Sequence, residues 1–123
     1  MKSDPFNLQR FVDAQDQCIA DVEAELRSGF KVTHWMWFVF PQLAGLGSSQ
    51  MAQRYAISSH AEAKAYLEHP ILGPRLRHHA QLVLEHNVVF PYPDDLKLHS
   101  SMELFSQISE PGSIFSQVLT KAT

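Results

Sequence analysis

Thr33-His34-Trp35-Met36-Trp37-Phe38-Val39-Phe40-Pro41-Gln42 is the most apolar stretch of the sequence, and the rest of the chain must assemble around it. Both tryptophans fall in it, and with Phe30 just upstream it accounts for three of the eight phenylalanines. Burying one large side chain stabilises a fold by roughly 1.5–3 kcal/mol, so such a run belongs where most of the core meets. Its period is ambiguous, because no polar residue marks a face and aromatics favour strands. Helix is the better reading: the flanking segments are helical in pattern, and a lone strand would leave its backbone groups unpaired. Thr33 then caps a short helix that Pro41 ends, with His34, Trp37, Phe38 and Pro41 on one face and Trp35, Val39 and Gln42 on another.

Outward from this hub the pattern is helical in both directions. Asp4-Pro5 is a helix start, followed by Leu8, Phe11, Val12, Gln15, Ile19, Val22 and Leu26 at spacings of three and four. That stripe is one long helix or two that break near Ala14, and Gly29 ends it in left-handed geometry. Downstream, Gly45-Leu46-Gly47-Ser48-Ser49 is a loop whose serines open a helix carrying Met51 and Tyr55 inward. Ser59-His60-Ala61-Glu62 reads as a capping box. A longer helix from about residue 70 to 85 turns Leu72, Leu76, Ala80 and Val83 inward. Pro93 sits at a first helical position with Asp94 and Asp95 in the first turn, where negative charge gains about 0.3–1 kcal/mol from the helix dipole. Leu98, Met102, Phe105 and Ile108 face the core from that helix. Pro111-Gly112 breaks it, and Ser113 caps a last one with Phe115, Val118 and Leu119. The expectation is an all-α single domain over residues 1–123, about seven helices around the aromatic segment.

Composition narrows the function classes. A chain of 123 residues suits one core, and 45% hydrophobic against 19% charged residues is a globular balance rather than a disordered one. A net charge of −3 offers no basic surplus to neutralise phosphates along a duplex, so nucleic acid is not an expected partner. The single cysteine, Cys18, and the lack of an apolar segment behind Met1-Lys2-Ser3-Asp4-Pro5 fit a reducing, cytoplasmic setting. No apolar run approaches the ~20 residues of a membrane span. Neither a CxxC pair nor an HExxH is present, and the adjacent His78 and His79 project about 100° apart on a helix, so no metal and no cofactor is expected.

Two polar groups can carry chemistry. Asp94, Lys97 and Ser101, at i, i+3 and i+7, put a carboxylate, an ammonium and a hydroxyl on one helix edge, with Asp95 and Ser100 beside them. Such a set binds a sugar hydroxyl, a carboxylate or a phosphate, and an aspartate there can act as a general base. The structural alternative is as economical: acids for the dipole, Lys97 paired with Asp94, and serines for close packing. His34, read in the first turn of the hub helix, is expected as a neutral imidazole able to donate and accept. Trp37 can be a stacking wall at a pocket rim, Gln42 can read a ligand edge, and Ser48 can present free amides to a phosphate. For each of these, core packing, a satisfied loop or plain turn geometry is the competing account.

The residues in these segments are also those of a known family. Asp4-Pro5-Phe6-Asn7-Leu8 with Arg10-Phe11, residues 31–42, Leu46-Gly47-Ser48, Tyr66-Leu67 with His69-Pro70, Leu72-Gly73 with Arg75-Leu76, Pro93 to Lys97, Ser100-Ser101-Met102 and Leu104-Phe105 resemble the small bacterial family called domain of unknown function 1810, sometimes labelled calpastatin-like. Glu103 departs from it where a threonine is usual, and the C-terminal end is shorter. The resemblance implies a multihelical single domain and brings no activity, substrate or catalytic residue. Calpastatin itself works as a disordered chain, whereas this composition demands a core. The functional expectation is a small-ligand-binding domain, in enzymatic form a hydrolase or transferase on a nucleotide-like, phosphorylated or glycosylated molecule, with His34, Asp94 and Lys97 as candidate catalytic residues. The alternative is a non-enzymatic helical interaction module with an unspecified protein partner.

Overall fold

The hub is a single turn of helix, Met36–Val39. In the computed structural model, which describes residues 3–122, eight helices follow in order: α1 Gln9–Asp16, α2 Ile19–Ser28, α3 Met36–Val39, α4 Gln50–Arg54, α5 His60–Glu68, α6 Leu72–His86, α7 Asp94–Gln107 and α8 Ile114–Ala122. The described residues contain no strand, only isolated parallel bridges that join Phe30 to Val89 and Leu43 to Ile57. No described helix is long and apolar enough to cross a membrane.

The long N-terminal stripe is two helices, interrupted at Gln17-Cys18 rather than at Ala14. Gly29 takes the left-handed conformation at φ 85° that ends α2. Asp4 acts as an acceptor for the chain ahead of α1, but through the Leu8 and Gln9 amides at 2.7 and 3.0 Å, four and five residues on. Thr33 does not cap α3. The residue at that helix start is Trp35, without a side-chain cap, and the Thr33 hydroxyl donates instead to Glu25. His34 consequently precedes the helix, and the dipole argument for its charge state does not apply to it.

At Ser59 half of the capping box forms. Ser59 Oγ accepts from the Glu62 amide at 3.2 Å, while the Glu62 carboxylate reaches Ser58 N and Oγ rather than Ser59. Its second oxygen holds Arg10 at 3.0 Å, so this buried glutamate ties α5 to α1. Ser49 and Ser113 cap α4 and α8 through the Ala52 and Ser116 amides. Close packing of α6 on the end of α5 needs Gly73, where a methyl group would lie 2.1 Å from the Leu67 carbonyl oxygen.

The core is a chain of rings. Phe11 sits edge-on to Tyr66 at 5.1 Å, Tyr66 meets Phe105, and Phe105 meets Phe115. On the hub side Trp35, Phe40 and Phe90 form a mutual triangle at 6.0–6.3 Å. α7 packs on α8, α8 on α6, and α6 on both α2 and α5, while α1 and α7 both reach α3. The buried Gln15 is paired within this core: it donates to the Phe38 carbonyl at 2.7 Å and to the Tyr66 hydroxyl at 3.0 Å, and burial pushes that phenol up.

The pair His78-His79 divides as its helical spacing requires. His78 is exposed against Glu23 at 3.1 Å, whereas His79 is buried beside Phe40 with Nδ1 unpartnered. Burial, and then the neighbouring His78, lower the His79 pKa from 6.5 to about 4. A base held neutral in the fold gives stability that is complete above pH 6.5 and is lost as pH falls toward 4, because the unfolded chain binds the extra proton. At about 1.4 kcal/mol per unit, the loss attributable to this residue between pH 7 and pH 4 is about 3 kcal/mol. Urea unfolding of His79→Leu is expected to show that much less acid sensitivity over this range than the unmodified protein; equal slopes would remove His79 as the cause.

Candidate functional site

The site is assembled by the bridge between Phe30 and Val89. Lys31 N donates to the Val89 carbonyl at 3.0 Å and Val89 N to the Gly29 carbonyl at 2.9 Å, which lays residues 29–37 beside the turn that leads into α7. Glu25 fixes the first of these segments. Its carboxylate accepts from the Val32 and Thr33 amides at 2.7 and 2.9 Å, from the Thr33 hydroxyl, and from the Trp35 indole at 3.1 Å. Partial burial raises the Glu25 pKa, but these hydrogen bonds outweigh it, and the net shift is downward. The carboxylate is thus the anchor of a loop that has no regular structure of its own.

Between the two segments lies a cavity of about 340 Å3, lined by Lys31, Val32, His34, Met36 and Trp37 on one side and by residues 91–94 and Lys97 on the other. Lys31 is 3% exposed, with Nζ 2.7 Å from Asp94 Oδ2 and 2.6 Å from the Thr33 carbonyl, over the face of Trp35 at 5.0 Å. Lys97 Nζ is 3.9 Å from Asp94 Oδ1 and 5.2 Å from the centre of the Trp37 ring. Asp94 therefore stands between two ammonium groups, and the two tryptophans are divided: Trp35 is core, whereas Trp37 is part of the wall.

Of the residues singled out in the sequence, His34, Trp37, Asp94 and Lys97 meet in this one cavity, with His34 on the exposed side. Gln42 lies behind it, in a recess of about 10 Å3 that it shares with Trp37 and Lys97, room for no more than a water. The remaining four do not line either space. Ser48 presents its carbonyl to Gln53 Nε2, and Asp95 turns to the Leu96 amide at 2.9 Å and to solvent. Ser100 is partly buried outside the lining, and Ser101 is fully buried with its hydroxyl unpartnered. The i, i+3, i+7 edge thus carries its first two members into the cleft and its third into the helix packing, a turn and more from the opening.

Lys31 is the functional-site residue that sequence reasoning missed. Its signal, a lysine just ahead of an aromatic run, is indistinguishable from a solvated surface lysine until the Phe30–Val89 bridge sets it against Asp94. The same bridge brings Tyr92 to the rim, 79% exposed. The cleft is not the widest concavity: grooves of about 490 and 530 Å3 run beside residues 109–115 and 3–9. What sets it apart is a buried lysine ion-paired to a carboxylate within its lining. Among the described residues, no three histidine, cysteine, aspartate or glutamate side chains are grouped so as to hold a metal ion.

No curated protein matches the chain. Among solved structures it is similar to the conserved hypothetical protein Rv1873 from Mycobacterium tuberculosis, at 52% identity and a TM-score of 0.92, over 96% of this chain and 88% of that one. The family model described as "Protein of unknown function (DUF1810)" matches residues 5–123. A match over that span, on an all-α fold shared at this level, places the chain in the DUF1810 family.

Proposed function

We propose that the cleft between residues 31–37 and 91–97 binds a small molecule, with Trp37 as a ring-stacking wall, Lys97 and Asp94 as the polar contacts, and His34 at the opening. One observation carries this reading: side chains some sixty residues apart in sequence, all of types suited to ligand contact, line a single cavity around a buried ion pair. A volume of about 340 Å3 is within the ordinary range for small-molecule sites. Asp94 Oδ2 is occupied by Lys31, so Oδ1 is the oxygen left to accept a ligand hydroxyl. In its enzymatic form the proposal is a hydrolase or transferase acting on a nucleotide-like, phosphorylated or glycosylated substrate, with His34 or Asp94 exchanging the proton and Lys97 holding the substrate.

The test is a thermal-shift screen against nucleotides, sugars and phosphorylated metabolites. A ligand at a hundred times its Kd is expected to add about 2.7 kcal/mol of stability, and Trp37→Ala is expected to abolish that gain. A full panel without a shift, or a shift untouched by Trp37→Ala, would defeat the reading.

A second reading has an observation of its own. Phe30, Val32, Val89, Tyr92 and Leu96, all 49–79% exposed, lie on the two segments that flank the cleft. Exposed apolar groups gathered in this way mark ligand grooves or protein-docking surfaces. Val89 and Leu96 stand outside the cavity lining, so a small molecule's stabilisation will survive Val89→Ser and Leu96→Ser, whereas a docked protein segment will lose affinity.

A further inference from the structure

We propose that the ligand of this cleft bears an anionic group, a phosphomonoester or a carboxylate, bound by Lys97; the inference rests on the cleft being a ligand site. The charges in the cleft differ in what they leave free. Lys31 is almost wholly buried and fully engaged by Asp94, the Thr33 carbonyl and the Trp35 face. It neutralises Asp94, and neither member of the pair can turn to a ligand charge without stranding the other. Lys97 is in a different position. Its ion pair with Asp94 Oδ1 spans 3.9 Å, too long for a hydrogen bond, and its remaining contact is the face of Trp37.

An ammonium carries three donors and no acceptor. The cleft lining sets two ammonium groups, Lys31 and Lys97, against the single carboxylate of Asp94, so the uncompensated charge is positive. A neutral ring would satisfy the stacking wall and leave that charge open. A phosphoryl or carboxylate group compensates that charge through a charge-assisted contact with Lys97, while the rest of the ligand lies along Val32, Met36 and Tyr92.

The test uses three probes with one benzene ring in common: phenyl phosphate, benzoate and benzyl alcohol. Each is titrated into the full chain while the tryptophan indole resonances are followed by 1H–15N NMR, with Trp37→Phe to assign the Trp37 signal. At least one anion is expected to move that signal saturably, and benzyl alcohol to bind about tenfold more weakly or less. A response to phenyl phosphate alone assigns the phosphomonoester; a response to benzoate alone assigns the carboxylate. Lys97→Met is expected to weaken the anion by about tenfold and Lys97→Arg to retain it, with spectral dispersion showing that both variants fold. Benzyl alcohol binding as well as the anions, undiminished binding in Lys97→Met, or no response to either anion would each overturn the inference. The metabolite screen decides separately whether the cleft binds anything, so a neutral stabilising metabolite would sink this inference and leave the ligand site standing.

Discussion

Asp94→Ala is expected to cost the folded protein about 3–5 kcal/mol, far more than loss of an exposed aspartate, because it leaves the Lys31 ammonium buried without its carboxylate. Lys31 is 3% and Asp94 20% exposed, and their atoms meet at 2.7 Å, so the buried ammonium has no water to replace the lost carboxylate. The comparison that isolates this cause is a double-mutant cycle in urea. Lys31→Met should be costly alone, and Lys31→Met with Asp94→Leu should recover much of the loss, since an apolar pair of similar volume removes both desolvated charges together. Additive single effects would show that the two side chains do not depend on each other. A strong coupling would also mean that Asp94 serves the fold as well as the cleft, so that lost binding in Asp94→Ala must be read against its stability.

Trp35→Ala is the second large effect, with an expected cost of about 3–5 kcal/mol. The indole is 1% exposed, packs at 6.1 and 6.3 Å from the Phe40 and Phe90 rings, and donates to Glu25 at 3.1 Å. Its removal opens a cavity at the junction of α2, α3 and the turn before α7, and it also takes one of the four donors that hold the Glu25 carboxylate. Trp37→Ala is expected to be much milder, because that ring is only partly buried and lines the cleft. Chemical denaturation of the two variants side by side measures the contrast; equal losses would mean that the tryptophans share one structural role.

That contrast shows how far the sequence could be read. The hub was visible because seven residues concentrate the aromatic content, and its helical state followed from the helices around it. Gly29, Ser59, Pro93 and Pro111-Gly112 marked element ends through local backbone chemistry, which acts over a few residues and is therefore legible there. Thr33 and Glu62 were read less well for one reason. In each the side chain takes partners other than the capping position: the Thr33 hydroxyl goes to Glu25, and the Glu62 carboxylate divides between the adjacent Ser58 and the distant Arg10. A capping motif states what a side chain can do locally and carries no information on a competing tertiary partner.

The candidate site followed the same division. His34, Trp37, Asp94 and Lys97 were legible as ligand-contact types near helix starts, and the structure lines one cavity with them. Ser101 was placed by helical period on the same edge as Asp94 and Lys97, but two turns of helix carry it past the cavity mouth into the packing. Ser48 and Asp95 are exposed loop and helix-start groups that satisfy their own neighbourhood. Lys31 could not be read at all, since its burial arises from a single parallel bridge between chain segments sixty residues apart.

The central claim, that the two polar segments form one binding cleft, is tested most directly by mapping the backbone amide shifts of the whole chain as the strongest stabiliser from the metabolite screen is titrated in. Saturable shifts gathered at residues 31–37 and 91–97 are predicted. Shifts gathered instead around residues 83–88 and 118–121, where a separate aliphatic cavity of about 210 Å3 lies between α6 and α8, would contradict it.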